Sequence, residues 1–193
     1  MVKAATQAMQ VTSLSVVCAD GNVYPFRVQY DSMPTVWVWT IAPLEEANLT
    51  TYATAILDNP ATTHRPHSIA MDMSIRVSGI YIRNDVMYYQ LALTNGSPID
   101  YEIDALQFFI RDKKKTRRTA TQETAVSILC TIGNIRQVTA TSSNTIVIAL
   151  PKMTLAEGKY LVVQLLEKNG GRHLLLKIKN KHLLKAIPLP SIH

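Results

Sequence analysis

A mainly β chain, folded as antiparallel β-sandwich domains with one short helix between them, is what this sequence predicts. Three observations point there. Short β-branched and apolar runs recur about every 8–15 residues, with Gly, Asn, Asp or Pro between them. From Ser68 to Ser78 the period is two: Ile69, Met71, Met73, Ile75 and Val77 alternate with Ala70, Asp72, Ser74 and Arg76. One segment alone, after Pro43, carries a convincing helical spacing. The 193 residues are 47% hydrophobic and 18% charged, which excludes a wholly disordered chain. A chain of this length buries roughly 70% of its unfolded surface and needs no staples. Two cysteines are too few for a disulfide scaffold. No window approaches ~18 uninterrupted apolar residues, so no transmembrane segment is expected.

Leu14 to Cys18 and Val23 to Tyr30 read as a hairpin around Asp20-Gly21, because glycine supplies the positive φ that such turns need. Pro25 cannot donate a ladder hydrogen bond, so its strand belongs at an edge. Val36 to Ile41 reads as a further strand. The helix is expected near 43–58. Pro43 suits its first position, Glu45 and Glu46 suit its positive end, and Leu49, Tyr52, Ala53 and Ile56 share a face. Asp58-Asn59-Pro60 stops it. Residues 1–60 thus form an amino-terminal strand region with a helix. Residues 61–67, which follow Pro60, contain Pro66 and show no periodicity, read as a linker, and 68–193 as a carboxy-terminal β-sandwich domain.

Within that domain, Arg83-Asn84-Asp85 and Asn95-Gly96-Ser97-Pro98 are turns flanking a strand with Met87, Tyr89, Leu91 and Leu93 on one side. Tyr101 to Arg111 slips in parity, which a β-bulge near Ala105 explains. Gln122 to Ile132 alternates again, and Thr145 to Leu150 ends at Pro151. Tyr160–Glu167 and His173–Asn180 flank Lys168-Asn169-Gly170-Gly171-Arg172, a hairpin turn rather than a phosphate nest.

Chemistry is sparse. Gly-x-Ser-x-Gly, Gly-x-Gly-x-x-Gly and Walker-type loops are absent, and Cys18 and Cys130 sit in apolar contexts where a thiol acts as a small hydrophobe. Their pairing remains open for an exported protein. His64-Arg65-Pro66-His67 has no third ligand at metal spacing. We therefore expect no enzyme, cofactor or metal. The most charged stretch runs from Arg111 to Arg118, where six of eight residues are basic. Arg111, Lys113, Lys114, Lys115, Arg117 and Arg118 could neutralise phosphates, which makes a nucleic-acid-binding β-module the alternative reading. The run lacks the aromatic platform of single-strand binders and reads equally as a solvated hairpin loop or one docking on an acidic neighbour.

Three blocks carry a family resemblance. They are Gly79 to Gln90 (GIYIRNDVMYYQ), Phe109 to Glu123 (with FIRDKKK, RRTA and QE), and Leu166 to His173 (LEKNGGRH). Together with the Ser15–Tyr30 hairpin they resemble the conjugative transposon TraN family. The resemblance covers most of the chain, most strongly 68–188. It implies a structural subunit of a type IV secretion, mating-pair-formation channel, of the kind built from two β-sandwich domains. Such a subunit joins the outer-membrane core complex as a ring with a membrane-bridging channel protein and a small lipoprotein. It is periplasmic and outer-membrane-associated. Full-length relatives carry an export signal and further residues before the matched region; this chain opens with neither, so a longer exported subunit is expected. Direct nucleic-acid contact is then not expected. Arg117, Arg118 and Glu123 become candidates for ion pairs within or between subunits, since the guanidinium fork binds carboxylates bidentately.

The charge distribution fits an assembly role. Residues 1–100 hold five Lys and Arg against eight Asp and Glu, a balance of −3; residues 101–193 hold fifteen against six, a balance of +9. The net +6 is therefore a polarity of the chain.

Overall fold

The computed structural model describes residues 9–17, 23–33, 44–113 and 123–190. The order is β1 (Thr12–Val17), β2 (Val23–Val28), α1 (Leu44–Leu57), β3 (His67–Ala70), β4 (Met73–Arg83), β5 (Val86–Asn95), β6 (Tyr101–Asp112) and β7 (Glu123–Ala125). There follow β8 (Cys130–Ile132), β9 (Gln137–Val138), β10 (Ser142–Pro151), β11 (Lys159–Glu167), β12 (Leu174–Ile178), α2 (Asn180–Leu183) and β13 (Ile187–Pro188). The chain is mainly β, as expected. It divides into two units, Met1–Ala47 and Asn48–His193. The expected strand at Val36–Ile41, the Asp20-Gly21 turn and Cys18 lie outside the described residues.

In the first unit β1 and β2 pair antiparallel from Thr12 opposite Val28 to Val17 opposite Val23. Pro25 faces Ser15 in a sheet that has two strands among the described residues, which makes both of them edges.

The second unit is a sandwich. One sheet has the order β13-β4-β5-β10-β8 with β3 added on β4; the other has β12-β11-β6-β7 with β9 added on β6. The alternation read from the sequence builds the core between them. Met87, Tyr89, Leu91 and Leu93 of β5 and Ile146, Ile148 and Leu150 of β10 meet Phe108 of β6, Leu161, Val163 and Leu165 of β11, and Leu174 and Leu176 of β12. All of these are at most 2% exposed. At about 2 kcal/mol for each large apolar side chain, this face dominates the stability of the unit.

The outer face of the first sheet is covered as well. Tyr52, Ala53 and Ile56 of α1 pack on Tyr81, Tyr88, Val147 and Ala149. Gln90 lies buried on the same face and donates to the carbonyls of Ile56 (3.0 Å) and Asn59 (2.8 Å), satisfying acceptors that the end of α1 leaves open. Burial of the Tyr88 hydroxyl, with Tyr52 and Cys130 beside it, pushes its pKa up to about 12. A bulge at Ser78 switches β4 between the two faces: Met73, Ile75 and Val77 point to the sandwich core before it, Ile80 after it, and Tyr81 turns to the helix. Gly79 is needed beside the bulge, because a Cβ there would lie 2.7 Å from the Tyr81 ring.

Four expectations change. The alternating run 68–78 is a hairpin and not one strand. Met71 and Asp72 form its two-residue turn with φ of +47° and +61°, and Ile69 lands opposite Ser74 on the outside, 68% exposed. Residues 61–67 are no free linker: the amides of Thr62 and Thr63 donate to Ser78 O at 2.7 and 3.0 Å, Val77 donates to Pro66 O at 3.0 Å, and His67 opens β3. The chain therefore divides before this segment, and the helix face belongs to the sandwich. Gln122–Ile132 splits into β7 on one sheet and β8 on the other. Between them Val126 donates to Phe108 O and Leu129 to Ala149 O, so the segment crosses over while its apolar alternation runs on. Finally, α2 begins at Asn180, where the last strand was expected to end. The parity slip in β6 is a bulge as expected: Leu166 faces Ala105 but Glu167 faces Ile103, leaving Asp104 as the extra residue.

Candidate functional site

The basic run begins on a hairpin of β6 and β7, with Arg111 paired in register to Glu123. Cross-strand neighbours on one face approach closely enough for their side chains to meet. Arg111 forms an ion pair with Glu123: Nη2 donates to Oε2 at 3.0 Å, Nε lies 2.8 Å from Oε1, and the guanidinium sits 5.7 Å from the Phe109 ring. Asp112 is 3.8 Å from Lys159 on β11. Lys113 is exposed at the end of the described hairpin, and its amide donates to Gly158 O. Lys114, Lys115, Arg117 and Arg118 lie outside the described residues. Of the residues the sequence offered for ion pairs, the structure joins Arg111 to Glu123.

The opposite end of β6 holds a polar cluster the sequence did not announce. Its centre is Arg172, in the turn between β11 and β12. Its Nε donates to Glu167 Oε1 at 2.8 Å, and Nη2 donates to the same oxygen and to Asp100 O at 2.8 Å. Nη1 donates to Ser97 Oγ at 2.8 Å and to Ile99 O at 3.4 Å. Those five bonds use all five N–H groups of the guanidinium. Its plane lies 5.1 Å from the centre of the Tyr101 ring, and the Tyr101 hydroxyl donates back to Arg172 O at 2.7 Å. Burial, with the Glu167 charge adding to it, pushes the Tyr101 hydroxyl up to about 12.

Local sequence explains the geometry. Gly170 allows the turn to fold over the Glu167 side chain; a Cβ there would lie 2.1 Å from Glu167 Oε2. The Arg172 amide donates to that oxygen at 3.0 Å. The Arg172 hydrogen bonds hold the Glu167 carboxyl below the ordinary carboxylate range, and the Glu167 carboxylate raises Arg172 in turn. Beneath them Asn95, fully buried, donates to the carbonyls of Ile99, Val138 and Thr139 and accepts from Ser97 N and Oγ. Asp100 accepts from Ala140 N and from Gln137 Nε2, both at 2.7 Å. Three turns, 95–100, 137–141 and 167–173, are thereby tied together.

Such a cluster has little chemistry to offer. Its arginine is saturated, its carboxylates accept from protein donors, and no nucleophile stands beside a base. It is a lock that sets the shape of one end of the sandwich. Among the described residues no group of three or more His, Cys, Asp or Glu could hold a metal, and no helix is long and apolar enough to cross a membrane. His64 and His67 are both exposed.

Residues 48–188 match a family described as a domain of unknown function, DUF4138. The chain belongs to the DUF4138 family. Its DUF4138 region begins within α1 and ends with β13, so it coincides with the sandwich unit and its covering helix. Residues 1–34, which include the β1–β2 hairpin, match a second domain of unknown function, DUF8473. No curated protein and no solved structure matches the chain. Both polar clusters fall inside the DUF4138 region. Arg172 was missed because Ser97 and Asp100 are more than 70 residues away in sequence. The available signal was Glu167 and Arg172 flanking a Gly-Gly turn inside one of the blocks of family resemblance.

Proposed function

We propose that this protein is an assembly subunit of a conjugative type IV secretion channel. It would work in the periplasm at the outer membrane, bound to other core-complex subunits in a ring. The observation that carries the reading is the ordered set of three blocks resembling the TraN family, each of which falls on a hairpin of one sandwich: β4–β5, β6–β7 and β11–β12. A sandwich of this kind offers strand edges and hairpin loops to partners. Among the described residues β12 pairs with β11 alone; its other edge has no ladder partner, although β3 and β4 of the first sheet lie close beside it, so strand addition there would have to displace β3. Lys177 and Lys179 beside that edge discourage indiscriminate pairing and suit an acidic partner.

The nucleic-acid alternative loses one cation, because Arg111 is already ion-paired with Glu123. Contact with about five phosphates would give a log–log salt slope of roughly −4 to −5 on duplex DNA. We expect no measurable binding at low salt. The deciding experiment is in cells. The protein should fractionate with the envelope, and deletion of its gene should abolish DNA transfer while leaving DNA nicking intact. A purely soluble cytosolic distribution of the full-length product would overturn the reading.

A further inference from the structure

The sandwich unit contains a cleft of about 320 Å³ between the 62–65 strap and the α2–β13 segment. Its lining is Thr62, Thr63 and Arg65 on one side, His182, Lys185 and Ile187 on the other, and Ile80. Three of these seven residues are basic and none is acidic. Arg65 and Lys185 enter no ion pair among the described residues, whereas Arg111, Lys152, Lys159, Lys168 and Arg172 each have a carboxylate partner. Two cations from segments 120 residues apart face one small space without a counter-charge.

Of the remaining polar groups, the two threonines brace the strap and His182 is left as the donor. The Thr62 hydroxyl donates to Ser78 O and the Thr63 hydroxyl to Arg65 O, so both serve to hold the strap in place. His182 Nδ1 accepts the Lys179 amide at 3.2 Å. A neutral imidazole with an accepting Nδ1 carries its proton on Nε2 and donates from there. Burial first, then the charges of Lys181, Lys179 and Lys185, push the His182 pKa down, which favours the neutral ring. Ile80 and Ile187 supply an apolar wall. A site of this size with a few polar donors on an apolar lining is at the small end of ligand pockets.

We propose that this cleft binds a small organic oxyanion, a phosphate or carboxylate held by Arg65, Lys185 and His182, with its apolar body against Ile80 and Ile187. Arg65 presents a planar fork, Lys185 a point charge and His182 a neutral donor, a set that favours an oxyanion with several acceptors. The site is independent of the assembly role.

The test is a titration of the folded chain with phenyl phosphate, inorganic phosphate and phenylacetate, followed by the His182 ring signals in NMR. Phenyl phosphate or phenylacetate should shift those signals saturably. Whichever binds more tightly identifies the source of the oxyanion. Bound anion should also raise the His182 titration midpoint, since a nearby negative charge favours the imidazolium. The double variant R65Q/K185Q should bind at least about tenfold more weakly, with an unchanged melting temperature because both residues are exposed. The variant K152Q/K168Q, altered in cations outside the cleft, should bind as the parent does. No saturable shift below about 10 mM, or equal affinity in R65Q/K185Q, would overturn the site. Inorganic phosphate binding as tightly as both organic probes would overturn the apolar wall.

Discussion

The two ends of β6 carry the same chemical pair in different surroundings. At one end Arg172 and Glu167 are 12% and 10% exposed, and every guanidinium N–H has an acceptor. At the other, roughly 30 Å along the strand, Arg111 and Glu123 are 20% and 39% exposed and lead into the most basic stretch of the chain. Charge pairs in water contribute little, because solvent already screens them. Buried pairs cost desolvation to form, but losing one partner strands the other. The first end is therefore built for shape, and the second is the end at which the proposed assembly role would place a partner.

The largest expected effect is at the locked end. Arg172→Ala should destabilise the chain by about 3 kcal/mol, or roughly 9 °C in Tm, read by calorimetry. A loss as small as that of an exposed pair would erase the contrast. Gln90→Leu should come next, at about 1–2 kcal/mol. It leaves the Asn59 carbonyl without its Gln90 donor and the Ile56 carbonyl with the Asn59 amide alone, and hydrogen exchange in α1 should rise while the sandwich core stays protected.

The Glu167 pair should also be visible in acid. Its carboxyl titrates lower in the folded chain than in the unfolded one, so the stabilisation is complete above the unfolded carboxylate pKa of about 4.3. It is lost as pH falls through the lower folded value. Urea midpoints measured downward from pH 5 should fall steeply for the parent and less steeply for Glu167→Gln. The smallest effect belongs to the open end: Glu123→Gln should cost about 0.5 kcal/mol. A loss there equal to that of Arg172→Ala would mean that both ends are locks.

Much of the fold was legible because the sandwich core is written in a period of two. The strands β5, β10 and β11, the helix and the bulge in β6 all follow from local pattern and punctuation. The pattern failed where the chain turned without changing its alternation. Met71-Asp72 adopts positive φ with neither Asn-Gly nor Asp-Gly to mark it, and Val126 to Leu129 changes sheets while its apolar residues keep alternating. In both places the deciding fact is the neighbouring strand. The same holds for the polar sites. The Arg111–Glu123 pairing depends on strand register, and the Arg172 cluster joins three turns separated along the chain. The cleft joins a strap that looked like a linker to a helix that looked like the end of a strand. Charge composition pointed to the basic run, but it could not tell a saturated arginine such as Arg172 from an unpaired one.

The central claim is that the basic hairpin serves assembly of a DNA-transfer channel while the opposite end maintains shape. The most direct test is conjugation frequency in cells whose protein carries Arg117→Glu and Arg118→Glu, with Tm measured on the same variant. The account predicts a parental Tm and a fall in transfer of about tenfold or more, from like charges brought against an acidic neighbour. Undiminished transfer with intact ring assembly would contradict it.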